Sequence, residues 1–343
     1  GALFISEDNE TRMYTTQEVS ELLTKISLLD NNGKMKTEVN KVYDPAVGSG
    51  SLLLKFAKIL GKDNVRNGFF GQEINITTYN LCRINMFLHD IGYDKFSIEH
   101  GDTLTDPKHW DEEPFEAIVS NPPYSIKWEG SDNGTLINDP RFSPAGVLAP
   151  KSKADFAFIM HCLHWLATDG TAAIVCFPGI MYRGGAEQKI RKYLIDNNYI
   201  ECIIQLPDNL FYGTSIATCI MVLKKSKVDN QTLFIDASKE FTPGKNQNTL
   251  EDKHIEKIVN AYKERKDIDK FCHVALMEEI EENGYNMNIP RYVDTFEPEP
   301  EIDLNEVAAE IRKLQAEIKD IDAQLKPYFD ELGLDFPFGE EGK

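Results

Sequence analysis

The chain has 343 residues, 41% of them hydrophobic and 10% aromatic, which is typical of a globular protein with one large domain or two ordinary ones. Its formal net charge of −19 at pH 7 argues against a protein that grips nucleic acid without a partner. No stretch approaches the roughly 20 consecutive apolar residues of a membrane span, so we expect no membrane contact.

The cysteines and histidines do not indicate a metal site or a disulfide framework. His161 and His164 are separated by two residues in an apolar stretch, and we expect them to be packed rather than metal-bound. The six cysteines lie at least 14 residues apart, and this spacing predicts reduced core residues of a cytosolic protein: Cys82, Cys162, Cys176, Cys202, Cys219 and Cys272.

The first elements in chain order are a polar lead-in and an amphipathic helix. Residues 1–13 are polar, and a helix is predicted to begin after Thr15 or Thr16, either of which can cap it. A short strand at 41–43 then leads into the glycine-rich turn 44–50, DPAVGSG, and a second helix. Strand, glycine-rich turn and helix together are typical of a nucleotide-binding doubly wound sheet. This turn lacks the G-x-G-x-x-G pattern and carries an acid, which suits a ligand with an ammonium group.

Three further predicted strands also end in polar residues. Strands at 68–72, 96–100 and 116–120 are followed by Glu73, Asp102 and Asn121, respectively. Because the carboxyl ends of parallel strands share one edge of a sheet, we expect these side chains to form a site together with the acid of the first turn. Glu73 is placed to accept hydrogen bonds from ribose hydroxyls, and Asp102 from an adenine amine.

Asn-Pro-Pro-Tyr at 121–124 is the most informative turn. The two prolines stiffen the chain, so Asn121 and Tyr124 stand on a rigid turn. The Asn121 amide oxygen and the Pro122 carbonyl are two acceptors that suit an amino group whose nitrogen attacks an electrophile. Tyr124 offers a flat face for an aromatic ring. The alternative is an ordinary turn that ends a strand.

The order of these motifs resembles the S-adenosylmethionine-dependent amino-methyltransferases of DNA, and most closely the modification subunit of type I restriction–modification systems. Downstream segments add to the resemblance, among them 153–159, 173–179, 203–216 and 286–292. Thr16 stands where the family usually has proline. Family members also carry a helical domain before the segment that begins at Tyr14, and with 13 preceding residues the chain is expected to be a fragment.

The resemblance implies an α/β fold, with a doubly wound, seven-stranded, mostly parallel sheet and a C-terminal helical extension. It implies adenine-N6 methylation of DNA with S-adenosyl-L-methionine, by direct attack on a flipped base and without a metal. It further implies a cytoplasmic bacterial or archaeal complex with a specificity subunit, a restriction subunit and two modification subunits. No cysteine follows a proline in the predicted site, which argues against methylation of a cytosine ring carbon.

The resemblance also implies roles for individual residues. The catalytic group is Asn121, Pro122, Tyr124 and Phe211, with Phe211 stacking on the flipped base opposite Tyr124; the alternative is that Phe211 anchors its loop in the core. The cofactor-binding residues are Tyr14, Thr15, Thr16, Asp44, Ala46, Gly48, Ser49, Gly50, Glu73, Asp102, Thr103, Leu104 and Asn121.

Two segments are expected to contact partners. Residues 125–152 form a long polar loop, which we interpret as a mobile lid that contacts nucleic acid, with disorder as the alternative. Beyond the acidic linker 297–301, apolar residues follow a 3,4 heptad spacing from Leu304 to Leu332, although Pro327 should kink or end that helix. We expect residues 303–326 to dock on helices of the specificity subunit; packing against its own domain is the alternative.

The predicted domain organisation is therefore a lead-in (1–13), a catalytic domain (14–240), a helical or irregular extension (241–296), and the linker with the docking helix (297–343). Two other functions remain open. The same amine chemistry suits RNA adenine or protein glutamine, and a non-catalytic scaffold would keep the fold without the reaction.

Overall fold

The computed structural model of the protein describes residues 15–211, 215–295 and 303–337. The chain divides into two compact units, Gly1–Thr295 and Phe296–Lys343. Within the described ranges, every helix is too short or too polar to cross a lipid bilayer. All six cysteines are buried and unpaired, as expected.

The described part of the first unit contains nine strands and seven α-helices. In chain order they are α1 (Gln17–Ser27), β1 (Val42–Asp44), α2 (Ser51–Leu60), β2 (Phe69–Glu73), α3 (Ile76–Leu88), β3 (Phe96–His100), β4 (Phe115–Ser120), α4 (Asp155–Trp165), β5 (Leu166–Cys176), α5 (Ala186–Asp196), β6 (Ile200–Gln205), β7 (Cys219–Leu223), β8 (Thr232–Asp236), α6 (Asp252–Glu264), β9 (Cys272–Ala275) and α7 (Met277–Glu282).

The strands form one mixed sheet in the order β3-β2-β1-β4-β5-β7-β6-β8-β9. The five strands β3, β2, β1, β4 and β5 run parallel to one another. Strand β7 runs antiparallel to both of its neighbours, β5 and β6. Strand β8 pairs parallel with β6, and β9 pairs antiparallel with β8. The α/β fold class is confirmed, but the sheet has nine strands rather than seven. The additional strands are short, and β9 lies in the stretch that was predicted as helical or irregular. With four residues, two of them only half-buried, β9 gives little alternating pattern to detect.

The strands bury both faces, which is what a doubly wound sheet requires. Side chains alternate between two hydrophobic clusters: Val42 belongs to one and Tyr43 to the other, and Val119 and Ile118 divide in the same way. Residues of α1, α2, α3 and α6 contribute to the first cluster, and residues of α4, α5 and α7 to the second. The sheet is therefore a rigid support for the loops at its carboxyl edge.

The entry to α1 determines where the first predicted site residues lie. The Thr16 side chain accepts a hydrogen bond from the Val19 amide at 3.4 Å and is the N-cap, which confirms one of the two predicted caps. Capping occupies the Thr16 hydroxyl, whereas Thr15, one residue earlier, is available to contact other elements.

The glycine-rich turn after β1 needs glycine at its last position. Gly50 precedes α2 with a φ of 84°, and a Cβ there would lie 2.9 Å from the Cys82 sulfur of α3. Both the left-handed backbone and the close approach of α3 exclude a larger residue without rearrangement.

The second unit contains one described helix, α8 (Leu304–Leu332). Asp303 caps its beginning, Gly333 follows its end with a φ of 66°, and the helix continues past Pro327 for five residues. No described residue of α8 is buried. Its heptad positions, which include Ile311 and Ile318, expose half or more of their surface in most cases.

Candidate active site

The site lies where the winding of the sheet reverses. From β1 the chain builds the sheet outward through β2 and β3, and β4 then returns to the other side of β1. Ligands of open α/β sheets bind outside the carboxyl ends of the strands at such a reversal. Asp44 ends β1, Glu73 ends β2, and Asn121 directly follows β4. The structure thus brings these predicted residues to one edge.

Asp44 is a buried carboxyl group with partners on both adjoining segments. It is 1% exposed, and its Oδ1 accepts hydrogen bonds from the Ala46 amide at 3.0 Å and the Ser120 hydroxyl at 2.8 Å. Burial raises the pKa of Asp44 to about 7, and the nearby Glu73 carboxylate adds to that shift, while the two hydrogen bonds oppose it. A carboxyl group of this kind can change its charge near neutral pH.

Glu73 holds the glycine-rich turn in place. Its Oε2 accepts from the Gly48 amide at 3.1 Å, and its Oε1 accepts from the Asn75 amide at 2.8 Å. The Asn85 side chain of α3 donates to the Ser49 carbonyl at 2.9 Å. A Cβ built on Gly48 would meet no atom within 4 Å, so the turn leaves open space over its backbone. This cradle, with two acids beside it, suits a ligand that carries an amino group and hydroxyls.

The loop after β3 is tied to the first turn. Asp102 accepts from the Leu104 amide at 2.9 Å, and the Thr103 hydroxyl donates to the Pro45 carbonyl at 2.5 Å. The predicted cofactor residues of the two loops therefore form one connected surface rather than two separate ones.

Asn121 is connected to two other predicted residues. Its Nδ2 donates to the Thr15 hydroxyl at 2.9 Å, and its Oδ1 accepts from the Tyr124 hydroxyl at 2.6 Å. Pro122 is buried and Tyr124 is half-buried; burial is the main cause that raises the Tyr124 pKa. The turn 121–124 is thereby held from both ends, with its amide acceptor aimed at the tyrosine. Tyr14 lies outside the described residues.

Phe211 lies in the core of the first unit. It is 1% exposed and belongs to the same hydrophobic cluster against which Tyr124 packs. This position matches the alternative in which Phe211 anchors its loop. In the described conformation its ring is covered, so it presents no free face for a base.

The loop 125–152 is anchored, which differs from the mobile lid that the sequence suggested. At its base the Ala154 amide donates to the Ile126 carbonyl at 2.9 Å. The Trp128 amide and indole donate to the carbonyls of Lys151 and Pro150, at 3.0 and 3.1 Å. Long polar loops are often mobile, but this one closes on itself and buries apolar side chains of its own.

Arg141 fixes the middle of that loop to the loop that follows β3. Its guanidinium group is 1% exposed; it pairs with Asp139 and donates to the carbonyls of Thr103 and Leu104 at 2.8 and 2.7 Å. It also lies 3.1 Å from Nδ1 of His161, whose burial, together with this cation, lowers the pKa of His161. His161 is thus packed, as predicted.

Sequence reasoning missed three residues that support the site. Ser120 contacts Asp44, Arg141 holds the loop after β3, and Asp155 accepts from the Ser125 amide. Ser120 directly precedes Asn121, so its place at the strand end was a usable signal. Arg141 and Asp155 act across 30 or more residues of chain and have no local signature, because a loop arginine and a first-turn aspartate are both ordinary.

A family model for N-6 DNA methylases matches residues 5–301, which is most of the chain. The chain belongs to the N-6 DNA methylase family. The resemblance that its motifs indicated is thereby confirmed at the level of the family.

Individual relatives of this chain are named as methylase subunits of type I restriction enzymes. It is 46% identical over 333 residues to the type I restriction enzyme MpnII methylase subunit of Mycoplasma pneumoniae, covering 94% of this chain and 60% of that protein. The MjaVIII methylase subunit of Methanocaldococcus jannaschii is 34% identical, covering 94% and 56%.

A solved structure agrees with these relatives. The type I restriction-modification methyltransferase subunit from Streptococcus thermophilus superposes with a TM-score of 0.77 at 48% identity, covering 82% of this chain and 59% of that one. The chain spans about 60% of the length of the MpnII methylase subunit and of the Streptococcus thermophilus subunit.

Proposed function

We propose that this protein transfers a methyl group from S-adenosyl-L-methionine to the 6-amino group of adenine in DNA, as the catalytic part of a type I modification subunit. The observation that carries the proposal is the connected group of Thr15, Asn121 and Tyr124 at the reversal point of the sheet. It places an amide acceptor and an aromatic ring directly beside the acidic, glycine-rich edge.

The cofactor would be held along the carboxyl edges of β1 to β3. We assign its amino group to the neighbourhood of Asp44, its ribose hydroxyls to Glu73, and its adenine to the loop of Asp102. The open space above Gly48 lets a ligand approach the backbone closely. When bound, S-adenosylmethionine supplies an electrophilic methyl group on a sulfonium centre.

The proposed role of the turn 121–124 is to hold the target amine. The Asn121 oxygen and the Pro122 carbonyl accept the two N–H bonds of the amine, which leaves the nitrogen lone pair free to attack. In the structure the Tyr124 hydroxyl donates to that Asn121 oxygen at 2.6 Å. The base amine would replace this donor, so the acceptor is already oriented before the base arrives.

Base flipping is required because an amine inside a duplex cannot reach the site. Tyr124 is half-buried and packs against the core, so its ring can serve as a fixed stacking platform. Phe211 would then support the wall behind Tyr124 rather than cover the second face of the base.

Recognition of DNA is assigned to partners. The described surface belongs to a chain of net charge −19, which is unfavourable for holding a duplex. We propose that α8 docks through its heptad positions on helices of a specificity subunit. A restriction subunit and a second modification subunit would complete the assembly.

Methyl transfer from radiolabelled S-adenosylmethionine to DNA, RNA and protein tests the substrate class. The complex purified with its native partners should label DNA, in an adenine-dependent manner, and not RNA or protein glutamine. Label on RNA or protein with none on DNA would contradict the proposed substrate. Calorimetric titration of the chain with S-adenosylmethionine tests the scaffold alternative, which requires that no binding be observed.

A further inference from the structure

The residue after the Tyr124 platform has an unfavourable backbone conformation. Ser125 has a φ of 50°, in the left-handed region that residues with side chains rarely adopt. This conformation turns the chain sharply away from Tyr124 and so determines where the ring stands. Residues held in such conformations persist only where neighbouring groups over-determine them, and they concentrate at functional sites.

Asp155 is the group that holds Ser125. Both of its carboxylate oxygens lie within reach of the Ser125 amide, at 3.2 and 3.1 Å. Asp155 is the first residue of α4, a helix in which ten of eleven residues are buried. The support is therefore rigid. The next residue after Ser125 is also held, because the Ile126 carbonyl accepts from the Ala154 amide. Two hydrogen bonds therefore fix the chain immediately after Tyr124.

The carboxylate remains in a place that is unfavourable for a charge. Asp155 is 6% exposed, and burial raises its pKa, while the Ser125 amide and the cations Arg183 and Lys153 lower it. Burying a carboxylate is costly unless it gains strong hydrogen bonds. This buried carboxylate accepts from the strained Ser125 amide, beside the predicted base platform, as well as from its own backbone amide. The contact with Ser125 is more than the start of a helix needs.

We propose that Asp155 is a positioning residue for methyl transfer: it holds Ser125 in its left-handed conformation and thereby fixes Tyr124 and Asn121 for the base. This inference rests on the proposed function of the turn 121–124. If Ser125 relaxes to a negative φ, the Tyr124 ring shifts and its hydroxyl leaves the Asn121 oxygen, now 2.6 Å away. The cofactor edge at Asp44 and Glu73 is held by other contacts and is unaffected.

The test compares single and double variants in the complex purified with its native partners. Asp155→Asn keeps the shape but removes the charge, and should lower kcat for adenine methylation at least about tenfold, because small misplacements of reacting groups cost up to about 100-fold. The dissociation constant for S-adenosylmethionine should change less than about twofold. Asp132→Asn, the same change at an exposed position of the loop 125–152, is the matched control and should leave both quantities unchanged.

Glycine at position 125 separates positioning from general structural support. Ser125→Gly should be close to wild type, because glycine adopts positive φ freely and keeps the amide donor. Added to Asp155→Asn, it should restore most of the lost kcat. A folded Asp155→Asn variant with wild-type kcat, or one whose lost kcat is not restored by glycine, would overturn the proposal.

A second variant covers the case in which Asp155→Asn does not fold. Ser125→Val leaves Asp155 intact but disfavours positive φ through its branched side chain, and should also lower kcat at least about tenfold at unchanged cofactor affinity. Wild-type kcat in this variant would contradict the proposal.

Hydrogen exchange of residues 121–126 in the chain alone reports on the turn independently: Asp155→Asn should accelerate it. Failure of the wild-type complex to methylate adenine would refute the proposed function instead. The hydrogen-exchange measurement would then still test whether Asp155 holds the turn.

Discussion

At the scale of single residues, the site depends on hydrogen bonds between side chains from distant parts of the chain. Asn121 joins Thr15, at the entry to α1, to Tyr124, at the end of its own turn. Asp44 joins the first turn to Ser120 at the end of β4. These contacts orient the Asn121 amide and the buried Asp44 carboxyl group before a ligand binds. A separate prediction follows from each.

Substitutions at Tyr124 should separate stacking from hydrogen bonding. Tyr124→Phe removes the 2.6 Å bond to Asn121 but keeps the ring, and should retain most activity. Tyr124→Ala removes the stacking surface, worth about 1–3 kcal/mol per base, and should lower kcat/KM for DNA by roughly ten- to a hundredfold. Steady-state methylation assays measure both. Equal losses in the two variants would mean that the hydroxyl, not the ring, is essential.

The pKa of Asp44 predicts a pH dependence of cofactor binding. Because this pKa is raised to about 7, the carboxyl group is largely neutral below that pH and ionised above it. A ligand ammonium group is attracted only by the ionised form, so affinity for S-adenosylmethionine should rise between about pH 6 and about pH 8. Calorimetry across this range measures the slope. Asp44→Asn retains the titration of the ligand itself and should flatten the curve; an identical slope in this variant would rule out Asp44 as the titrating group.

At the scale of elements, the loop 125–152 and α8 differ in how they are held. The loop is fixed at its base and, through Arg141, at its middle. α8 has caps at both ends and an apolar heptad seam, but none of its described residues is buried. The first element should therefore contribute strongly to stability, and the second to association.

Removal of Arg141 should destabilise the first unit. Arg141→Met leaves the half-buried Asp139 and the carbonyls of Thr103 and Leu104 without their donor, which should cost about 3 kcal/mol or more. Lys151→Met breaks an exposed ion pair of the same loop and should cost at most about 1 kcal/mol. Urea unfolding of both variants tests the difference. Equal, small losses would show that the loop is not anchored through Arg141.

Charges in the seam of α8 should disrupt the complex. Ile311→Asp with Ile318→Asp places two carboxylates on the apolar stripe and should abolish co-purification with the specificity subunit, without lowering the unfolding midpoint of residues 15–295. Ala309→Asp with Ala316→Asp makes the same change on the opposite face and should leave assembly intact. Assembly of the seam variant would refute docking through α8.

At the scale of the whole molecule, local patterns predicted the elements and failed for contacts between them. Four strand ends with polar residues predicted the edge on which Asp44, Glu73 and Asn121 lie, because the carboxyl ends of parallel strands must meet. The strands β8 and β9 were not predicted. β8 is a five-residue, mostly buried strand without apolar–polar alternation, and β9 has four residues and little periodicity. The fixed loop 125–152 was also missed, because its order depends on the burial of Arg141 against carbonyls 37 and 38 residues away.

The burial of Phe211 is a further tertiary contact that local sequence patterns did not predict. A loop between two strands places its aromatic residues by tertiary packing, so composition left two alternatives open, and the structure puts the ring in the core. The hypothesis for adenine chemistry therefore depends on Asn121 and Tyr124, whose geometry is set by the rigid turn, and not on Phe211.

The most direct test of the central claim is nucleoside mass spectrometry of DNA after incubation with S-adenosylmethionine and the complex purified with its native partners. We expect N6-methyladenine with the wild-type protein and none with Asn121→Ala. This variant should leave cofactor binding nearly intact, because the main proposed role of Asn121 is to hold the base amine. Asn138→Ala, an exposed asparagine of the loop 125–152, should match wild type. Absence of N6-methyladenine with the wild-type complex, or its undiminished formation by Asn121→Ala, would contradict the account.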